Sequence, residues 1–253
     1  MNGVTRRGNL GANVNTLNSG LETYVGVGLY SFPDAARIIG VKPNLLRRWA
    51  TDYYYISNGK EYRHYPVIPR RFDSEGPLTF VELIEFVFIK LFYDYGVSIP
   101  TIRRASEYAA ALFNTPYPFT VRRFDTDGYR IFATLGDKSD EEQSFIAELT
   151  KGQLAFENVV HPFFVKIEYA SGLENAVRYW PMKRSGRVVL DPQRAFGKPI
   201  DDETGIPTEV IFDALRSQSA KEVADWFEIP EEAVIAADRY ERLLSNGTLA
   251  VPA

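Results

Sequence analysis

Residues 31–51 repeat apolar positions with a helical period in two short blocks separated by a break. Ser31 precedes a proline and Asp34, which gives the first block an N-cap and an acidic first turn. Gly40 ends this block, and Pro43 opens the second at a first-turn position that tolerates proline. The pattern predicts a helix, a three-residue turn and a second helix.

The second of these helices has one apolar face and one face of hydrogen-bond donors. Leu45, Leu46 and Trp49 lie on the apolar side. At helical spacing the donor face carries Asn44, Arg47, Arg48 and Thr51. Side chains so placed on the second helix of such a pair reach phosphates and guanine edges in a DNA major groove. A solvated helix surface is the alternative, and Lys42 in the turn favours the DNA interpretation.

A hairpin is predicted next, because Asn58-Gly59 separates two tyrosine-rich runs, residues 53–56 and 62–65. A basic hairpin directly after such a helix pair is typical of a wing. Lys60 and Arg63 are expected near the DNA backbone, and His64 is expected to be an ordinary strand residue.

The following segment, "LTFVELIEFVFIKLFYDYG", predicts a helix that begins at a capping box of Thr79 and Glu82. Its apolar positions cover more than half of the helical circumference. Two explanations stay open: a homodimer interface, or a core within the same chain. A second helix, capped by Ser98, is expected over residues 100–113.

The middle of the chain predicts a mixed segment. Residues 119–135 alternate around the turn Asp125-Thr126-Asp127-Gly128, which predicts a second hairpin. A capping box of Ser139 and Glu142 predicts a helix after it. The stretch "AVRYWPMKRSG", residues 176–186, is expected to be a hinge.

The last third predicts a short strand, a loop and three helices, over about residues 207–217, 219–228 and 230–245. The predicted organisation is a flexible tail (1–22), a helix-turn-helix unit with a helical extension (24–114), an α/β connecting segment (115–184) and a trihelical domain (185–253). The predicted fold class is α+β, mainly helical.

Charge is distributed unevenly along the chain. Residues 1–72 carry ten Lys/Arg against four Asp/Glu, a net +6, and residues 73–184 carry twelve against sixteen, a net −4. Residues 185–253 carry seven against thirteen, a net −6. The basic head suits a polyanion, whereas the acidic tail repels nucleic acid and suits a protein partner. The candidate partner-binding residues of the tail are Trp226, Phe227, Arg239, Tyr240 and Arg242, although core packing is the more expected place for Trp226 and Phe227.

The composition excludes several classes of site. There is no cysteine and there are two histidines, so a thiolate or zinc cluster is not expected, and no cofactor or metal is expected. The longest apolar run, residues 86–92, contains Lys90 and is too short to span a membrane. The lack of cysteine and of a signal pattern leads us to expect a protein of the cytoplasm. Catalytic motifs are absent from the sequence, so we do not expect an enzyme.

Three stretches together resemble a known family. "YSFPDAARIIGVKPNLLRRW" with the hairpin resembles the MerR-like winged helix-turn-helix, and "LTFVELIEF...DYGVSIPTIRRA" resembles its helical extension. "VVLDPQRAFGKPI...TGIPTEVIFDAL...SAKEVADWFEIPEEAVIAADRYE" resembles a small trihelical antitoxin domain encoded beside PIN-domain ribonuclease toxins. The order of the modules is similar to that of large VapB-type antitoxins.

The resemblance implies that the tail neutralises a PIN-domain ribonuclease toxin while the head, as a homodimer, represses its own operon by binding the operator. Many relatives of the tail domain have arginine where this chain has Gly205, so a role of that arginine does not transfer. A stand-alone MerR-like regulator, whose acidic tail binds another protein or dimerises, is the alternative. A metal-dependent nuclease built from dispersed carboxylates is a third hypothesis without positive support.

Overall fold

The structure is a computed structural model that describes residues 27–137, 151–170 and 175–247. It is a mixed α/β protein in which helices dominate and the sheets are small. The predicted flexible tail, residues 1–22, and the predicted helix start at Ser139–Glu142 lie outside the described residues.

The first helix pair forms where the sequence predicts it. Strand β1 (Leu29–Tyr30) leads into α1 (Phe32–Ile39), and α2 (Pro43–Ala50) follows after a short turn. The Ser31 side chain accepts a hydrogen bond from the Asp34 amide, and Gly40 closes α1 at φ 78°. The predicted N-cap and the predicted terminal glycine thus lie at the two ends of α1, and the predicted bounds of this helix are confirmed.

The predicted hairpin is also confirmed. Strands β2 (Tyr53–Ser57) and β3 (Lys60–His64) pair antiparallel, with Ser57 opposite Lys60. The two turn residues, Asn58 and Gly59, have φ values of 50° and 73°. Two consecutive positive φ values define the tight turn that matches the twist of the strands, which is why Asn-Gly occurs there.

The next helices build the core of the N-terminal half. Strand β4 (Leu78–Thr79) pairs with β1 and precedes α3 (Phe80–Asp94), which begins with the predicted capping box; α4 (Ile99–Phe113) follows. Nearly every side chain of α3 is buried by other parts of the same chain. The apolar circumference of α3 therefore belongs to the core, and a homodimer interface on this helix is contradicted.

The hairpin predicted for residues 119–135 is wrong. These residues form a short 3₁₀ turn (Pro118–Thr120) and the helix α5 (Arg122–Asp137). Gly128, interpreted as a turn residue, lies inside α5, and a Cβ there would overlap the ring of Phe156. The glycine permits a close approach between two segments, which the local sequence does not reveal.

The middle segment does contain a β-hairpin, further along the chain. Residues 151–155 are helical and continue as a π-helical turn (Phe156–Val160) and a short helical turn (His161–Phe163). Strands β5 (Ile167–Tyr169) and β6 (Ala176–Tyr179) then pair antiparallel.

The sheet continues across the predicted boundary between residues 184 and 185. Strand β6 pairs with β7 (Val188–Leu190), which pairs with β8 (Pro199–Asp201), so that the strand order is β5-β6-β7-β8. The predicted hinge at residues 176–186 is therefore wrong, because part of it is a strand within this sheet. The division into domains itself stays a prediction.

Helices occupy the predicted places in the last third: α6 (Thr208–Ala214), α7 (Ala220–Phe227) and α8 (Glu231–Ser245). These helices share a small core built from Ile211, Val223, Ala224, Val234 and Ala237. Helix α8 also contributes Tyr240 and Leu244 to the large core that contains α1, α2 and α3. The helix pair of the basic head and the last helix of the acidic tail thus pack into one core.

Within the described ranges, no helix combines the length and the apolar character that a lipid bilayer requires of a spanning segment.

Candidate functional site

The donor face of α2 is partly free. Lys42, Asn44 and Arg48 are exposed to solvent, whereas Leu46 and Trp49 on the opposite face are buried. Pro43 at the first turn and the packing of Trp49 against Tyr93, with ring centroids 5.2 Å apart, fix the rotation of the helix. The amphipathic division inferred from the sequence is therefore present.

The two adjacent arginines of α2 have different surroundings. The guanidinium of Arg47 lies 4.5 Å above the ring of Phe32, and its Nη1 lies 3.5 Å from Oε2 of Glu75. Glu75 is highly exposed, so this ion pair is weak and is readily exchanged for another anion. Arg48 is exposed, and its guanidinium lies 5.9 Å from the ring of Tyr53 in the hairpin.

Thr51 is held at the end of the helix. It is the C-cap of α2 in extended conformation, and its hydroxyl donates a hydrogen bond of 2.8 Å to the carbonyl of Arg47. The side chain that the sequence places on the donor face is thus engaged in ending the helix.

The hairpin carries an aromatic ladder next to α2, on the face formed by Tyr53, Tyr55, Tyr62 and His64. Tyr53 stacks on His64 at 4.5 Å and Tyr55 on Tyr62 at 5.4 Å. Each of these is a directly opposed cross-strand pair, which is the contact that stabilises a two-stranded sheet. The ladder stabilises the hairpin, which lies beside Arg48.

The cations of the hairpin also differ from one another. Lys60 is exposed beside the tight turn. Arg63 donates a hydrogen bond to Oδ2 of Asp52, which raises the pKa of Arg63, and its guanidinium lies 4.7 Å from the ring of Tyr65. Lys60 is therefore the freer of the two predicted backbone contacts.

Arg103 of α4 is a site residue that the sequence did not single out. Its Nη2 donates to the carbonyl of Tyr65 at 2.8 Å and lies 3.4 Å from Nε2 of His64. Burial, followed by the charges of Arg103 and Arg48, lowers the pKa of His64. Arg103 thus ties the base of the hairpin to α4 and adds positive charge near α2; its only signal in the sequence was the pair Arg103-Arg104.

The tail separates the predicted partner residues into exposed and buried groups. Trp226 is 74% exposed, so the expectation that it packs in a core is wrong, and Phe227 is partly buried against the small core of α6–α8. Tyr240 has 0% exposure, so its assignment as a partner anchor is wrong. Tyr240 lies on the face of α8 that packs into the large core, opposite the exposed Arg239.

The remaining predicted cation of α8 is paired within its helix. The Nε of Arg242 donates to both carboxylate oxygens of Asp238, at 2.9 Å and 2.8 Å. Exposed carboxylates surround Trp226 along the chain, at Glu222, Asp225 and Glu228. The exposed tryptophan therefore lies in an acidic setting.

Across residues 27–137, 151–170 and 175–247, no group of three or more His, Asp or Glu side chains is arranged to hold a metal ion. The chain carries no cysteine at all. The consecutive acids Asp201 and Asp202 point to different arginines, Arg187 and Arg194.

Comparisons with known proteins add a relationship to this geometry. No known protein-family profile matches the sequence. The chain is similar to the putative antitoxin VapB45 of Mycobacterium tuberculosis (strain ATCC 25618 / H37Rv). The identity is 26% over 208 residues, which cover 78% of this chain and 86% of that protein.

A solved structure has the same fold. It is the X-ray crystal structure of Rv2018 from Mycobacterium tuberculosis, with a TM-score of 0.64 and 23% sequence identity. The alignment covers 84% of this chain and 98% of that chain, so the shared fold extends over most of both proteins.

Proposed function

We propose that this protein is an antitoxin of a type II toxin–antitoxin system. In this proposal the head binds the operator of its own operon, and the acidic tail binds and neutralises a PIN-domain ribonuclease toxin. The protein acts in the cytoplasm, without catalysis and without a cofactor. The similarity to a putative antitoxin over most of both chains supports the general role.

DNA binding rests on one observation above all: Arg48 is exposed on the second helix of the pair, beside the hairpin that carries Lys60 and Arg63. In a winged helix-turn-helix, α2 enters the major groove and the hairpin follows the neighbouring backbone. Asn44, Arg47 and Arg48 then meet bases or phosphates, and Lys42 and Lys60 meet phosphates. Arg63 and Thr51 start from intramolecular bonds and contribute less.

Two copies of the head on a palindromic operator complete the proposal, since helix-turn-helix proteins match their own two-fold symmetry to the half-sites. The large apolar face of α3 is not the contact between the copies, because it is covered within one chain.

The proposal is tested with the protein encoded next to this gene. Expressed alone, that protein should arrest growth and cleave RNA, and co-expression of this chain should restore growth. The full chain should also retard DNA from its own promoter. A neighbour without toxicity, together with retained promoter binding, would favour the stand-alone regulator instead. Magnesium-dependent RNA cleavage by this chain alone would overturn both.

Replacing Arg48 by alanine is expected to weaken promoter binding by about 1 to 3 kcal/mol if its guanidinium contacts a base. If Arg48 meets a phosphate, the slope of affinity against salt concentration should fall by about one. Fluorescence anisotropy over a salt series distinguishes the two contacts.

The matched control is Arg216→Ala, which removes an exposed arginine from the tail. It should leave promoter affinity unchanged. Equal promoter affinity for Arg48→Ala and the wild type would remove α2 from the DNA interface.

A further inference from the structure

The loop between β7 and β8 contains a left-handed turn that is unusual for its residues. Ala195, Phe196 and Gly197 have φ values of 46°, 55° and 84°. Glycine adopts this region freely, whereas a residue with a Cβ is strained there, and a bulky side chain especially so. Two adjacent residues with side chains therefore hold an unfavourable conformation in this loop.

The turn is fixed from both sides. The Gly197 carbonyl accepts a hydrogen bond of 2.6 Å from the buried hydroxyl of Tyr30, and a Cβ at Gly197 would lie 2.6 Å from that oxygen. Burial raises the pKa of Tyr30, so its hydroxyl stays a donor. On the other side, Arg194 donates to a carboxylate oxygen and to the carbonyl of Asp202, at 3.0 Å and 2.7 Å. The surroundings thus enforce the strain.

The side chain at the centre of this turn points away from the protein. Phe196 is 75% exposed, so the ring gains little from burial in the folded chain. Asparagine or glycine at this position would relieve the strain and remove an apolar ring from water. A fold that keeps both unfavourable features presents Phe196 at a fixed place, and strain of this kind concentrates at functional sites.

The charge of the tail indicates which kind of molecule binds the exposed ring of Phe196. Residues 185–253 carry a net charge of −6. Glu203, just after β8, and Glu209, in α6, are more than half exposed even though they pair with Arg187 and Lys198. Nucleic acid is repelled by this surface, and so is the equally acidic tail of a second copy. A different protein with positive charge around an apolar pocket fits the ring and its surroundings.

We propose that Phe196 is the apolar anchor of the partner-binding surface, filling an apolar pocket with a positively charged rim on another protein. This inference rests on the proposed function, since the partner is the toxin of that proposal. The loop anchors the partner as a pre-formed element, so little conformational entropy is lost on binding.

The test compares two substitutions that relieve the same strain. Phe196→Asn removes the ring and suits the left-handed region, whereas Ala195→Gly relaxes the turn and keeps the ring. The purified full-length chain is titrated with the purified product of the neighbouring gene, and the melting temperature of each variant is recorded. Both variants should melt at or above the wild-type temperature.

Binding should separate the two variants. Ala195→Gly should bind within threefold of the wild type, and Phe196→Asn should lose at least about thirtyfold, as expected for a central aromatic anchor. Added salt should weaken the wild-type complex, because the rim is charged.

Equal affinities for the two variants would overturn the anchor and leave the proposed function standing. Failure of the wild type to bind would instead overturn the proposed function and the anchor with it. A melting temperature of Phe196→Asn below that of the wild type would make Phe196 a structural residue. Loss of a dimer in Phe196→Asn, measured by sedimentation, would replace the partner by a second copy.

Discussion

Replacing Glu85 by glutamine is expected to stabilise the protein at pH 8 by about 4 kcal/mol and to remove the fall in stability that ionisation of Glu85 causes between pH 5 and pH 8. Glu85 lies in α3 with no exposed surface, and its Oε1 accepts a hydrogen bond of 2.8 Å from the Thr120 amide. Burial raises the pKa of this carboxyl to about 8, because the hydrogen bonds do not compensate for lost hydration.

The sign of this pH dependence follows from the number of protons that the folded and the unfolded chain bind. In the unfolded chain Glu85 loses its proton near pH 4.5, whereas in the folded chain it keeps the proton until about pH 8. Between these values the folded state binds more protons, so the free energy of unfolding falls as the pH rises. Glutamine mimics the neutral carboxyl at every pH, and chemical denaturation at pH 5 and pH 8 measures the difference.

Glu82 on the same helix is the matched control. Its carboxylate is also buried, but it accepts hydrogen bonds from Arg70, from the Arg71 amide and from the Thr79 amide. Glu82→Gln should therefore lower the free energy of unfolding by about 1 to 3 kcal/mol, since it weakens bonds to a charged acceptor. If Glu85→Gln behaved like Glu82→Gln at pH 8, Glu85 would be ionised in the folded protein.

The sequence predicted the elements whose signals are local. The capping box at Thr79, the left-handed Gly40 and the Asn58-Gly59 turn each depend on a few neighbouring residues. These signals satisfy backbone groups at an element's own ends, so they hold whatever packs nearby. The helix pair, the hairpin and the start of α3 followed from them.

The prediction failed where a distant segment decides the structure. The residues around Asp125 and Gly128 have the composition of a turn. They nevertheless form the helix α5, because Phe124 packs among other buried rings, those of Phe88, Phe92, Phe119 and Phe156. The predicted hinge contains strand β6, whose pairing with β7 depends on residues that come later in the chain.

The site shows the same division. The exposed face of α2 follows from helical period, so Asn44 and Arg48 were predictable from the sequence. The strain at Phe196 was not, because it comes from contacts with Tyr30 in a strand more than a hundred residues earlier. Tyr240, expected at the partner surface, is buried because its face of α8 packs against the N-terminal core, whereas Trp226, expected to pack in a core, is exposed.

Replacing Gly128 by alanine is expected to lower the free energy of unfolding by about 3 kcal/mol, at the upper end of the usual cost of overpacking. In an unobstructed helix the same change would stabilise by about 1 kcal/mol, so the sign is diagnostic. The added methyl would overlap the ring of Phe156, which is itself buried 5.5 Å from Phe124. A second contact joins the same two segments in the opposite sense: the ring of Phe132, in α5, lies against Gly152, so a Cβ at Gly152 would overlap it.

A double-mutant cycle assigns the cost to the ring. In a Phe156→Leu background the methyl of Gly128→Ala has space, so the substitution should be neutral or slightly stabilising there. Thr126→Ala, on the exposed face of the same helix, is the control and should be neutral or slightly stabilising in both backgrounds. If Gly128→Ala stabilised the wild-type chain, the ring would not lie against α5. Because Phe124 and Phe156 join α5 to α3 through one aromatic cluster, that result would also remove the middle segment from the core that carries the head.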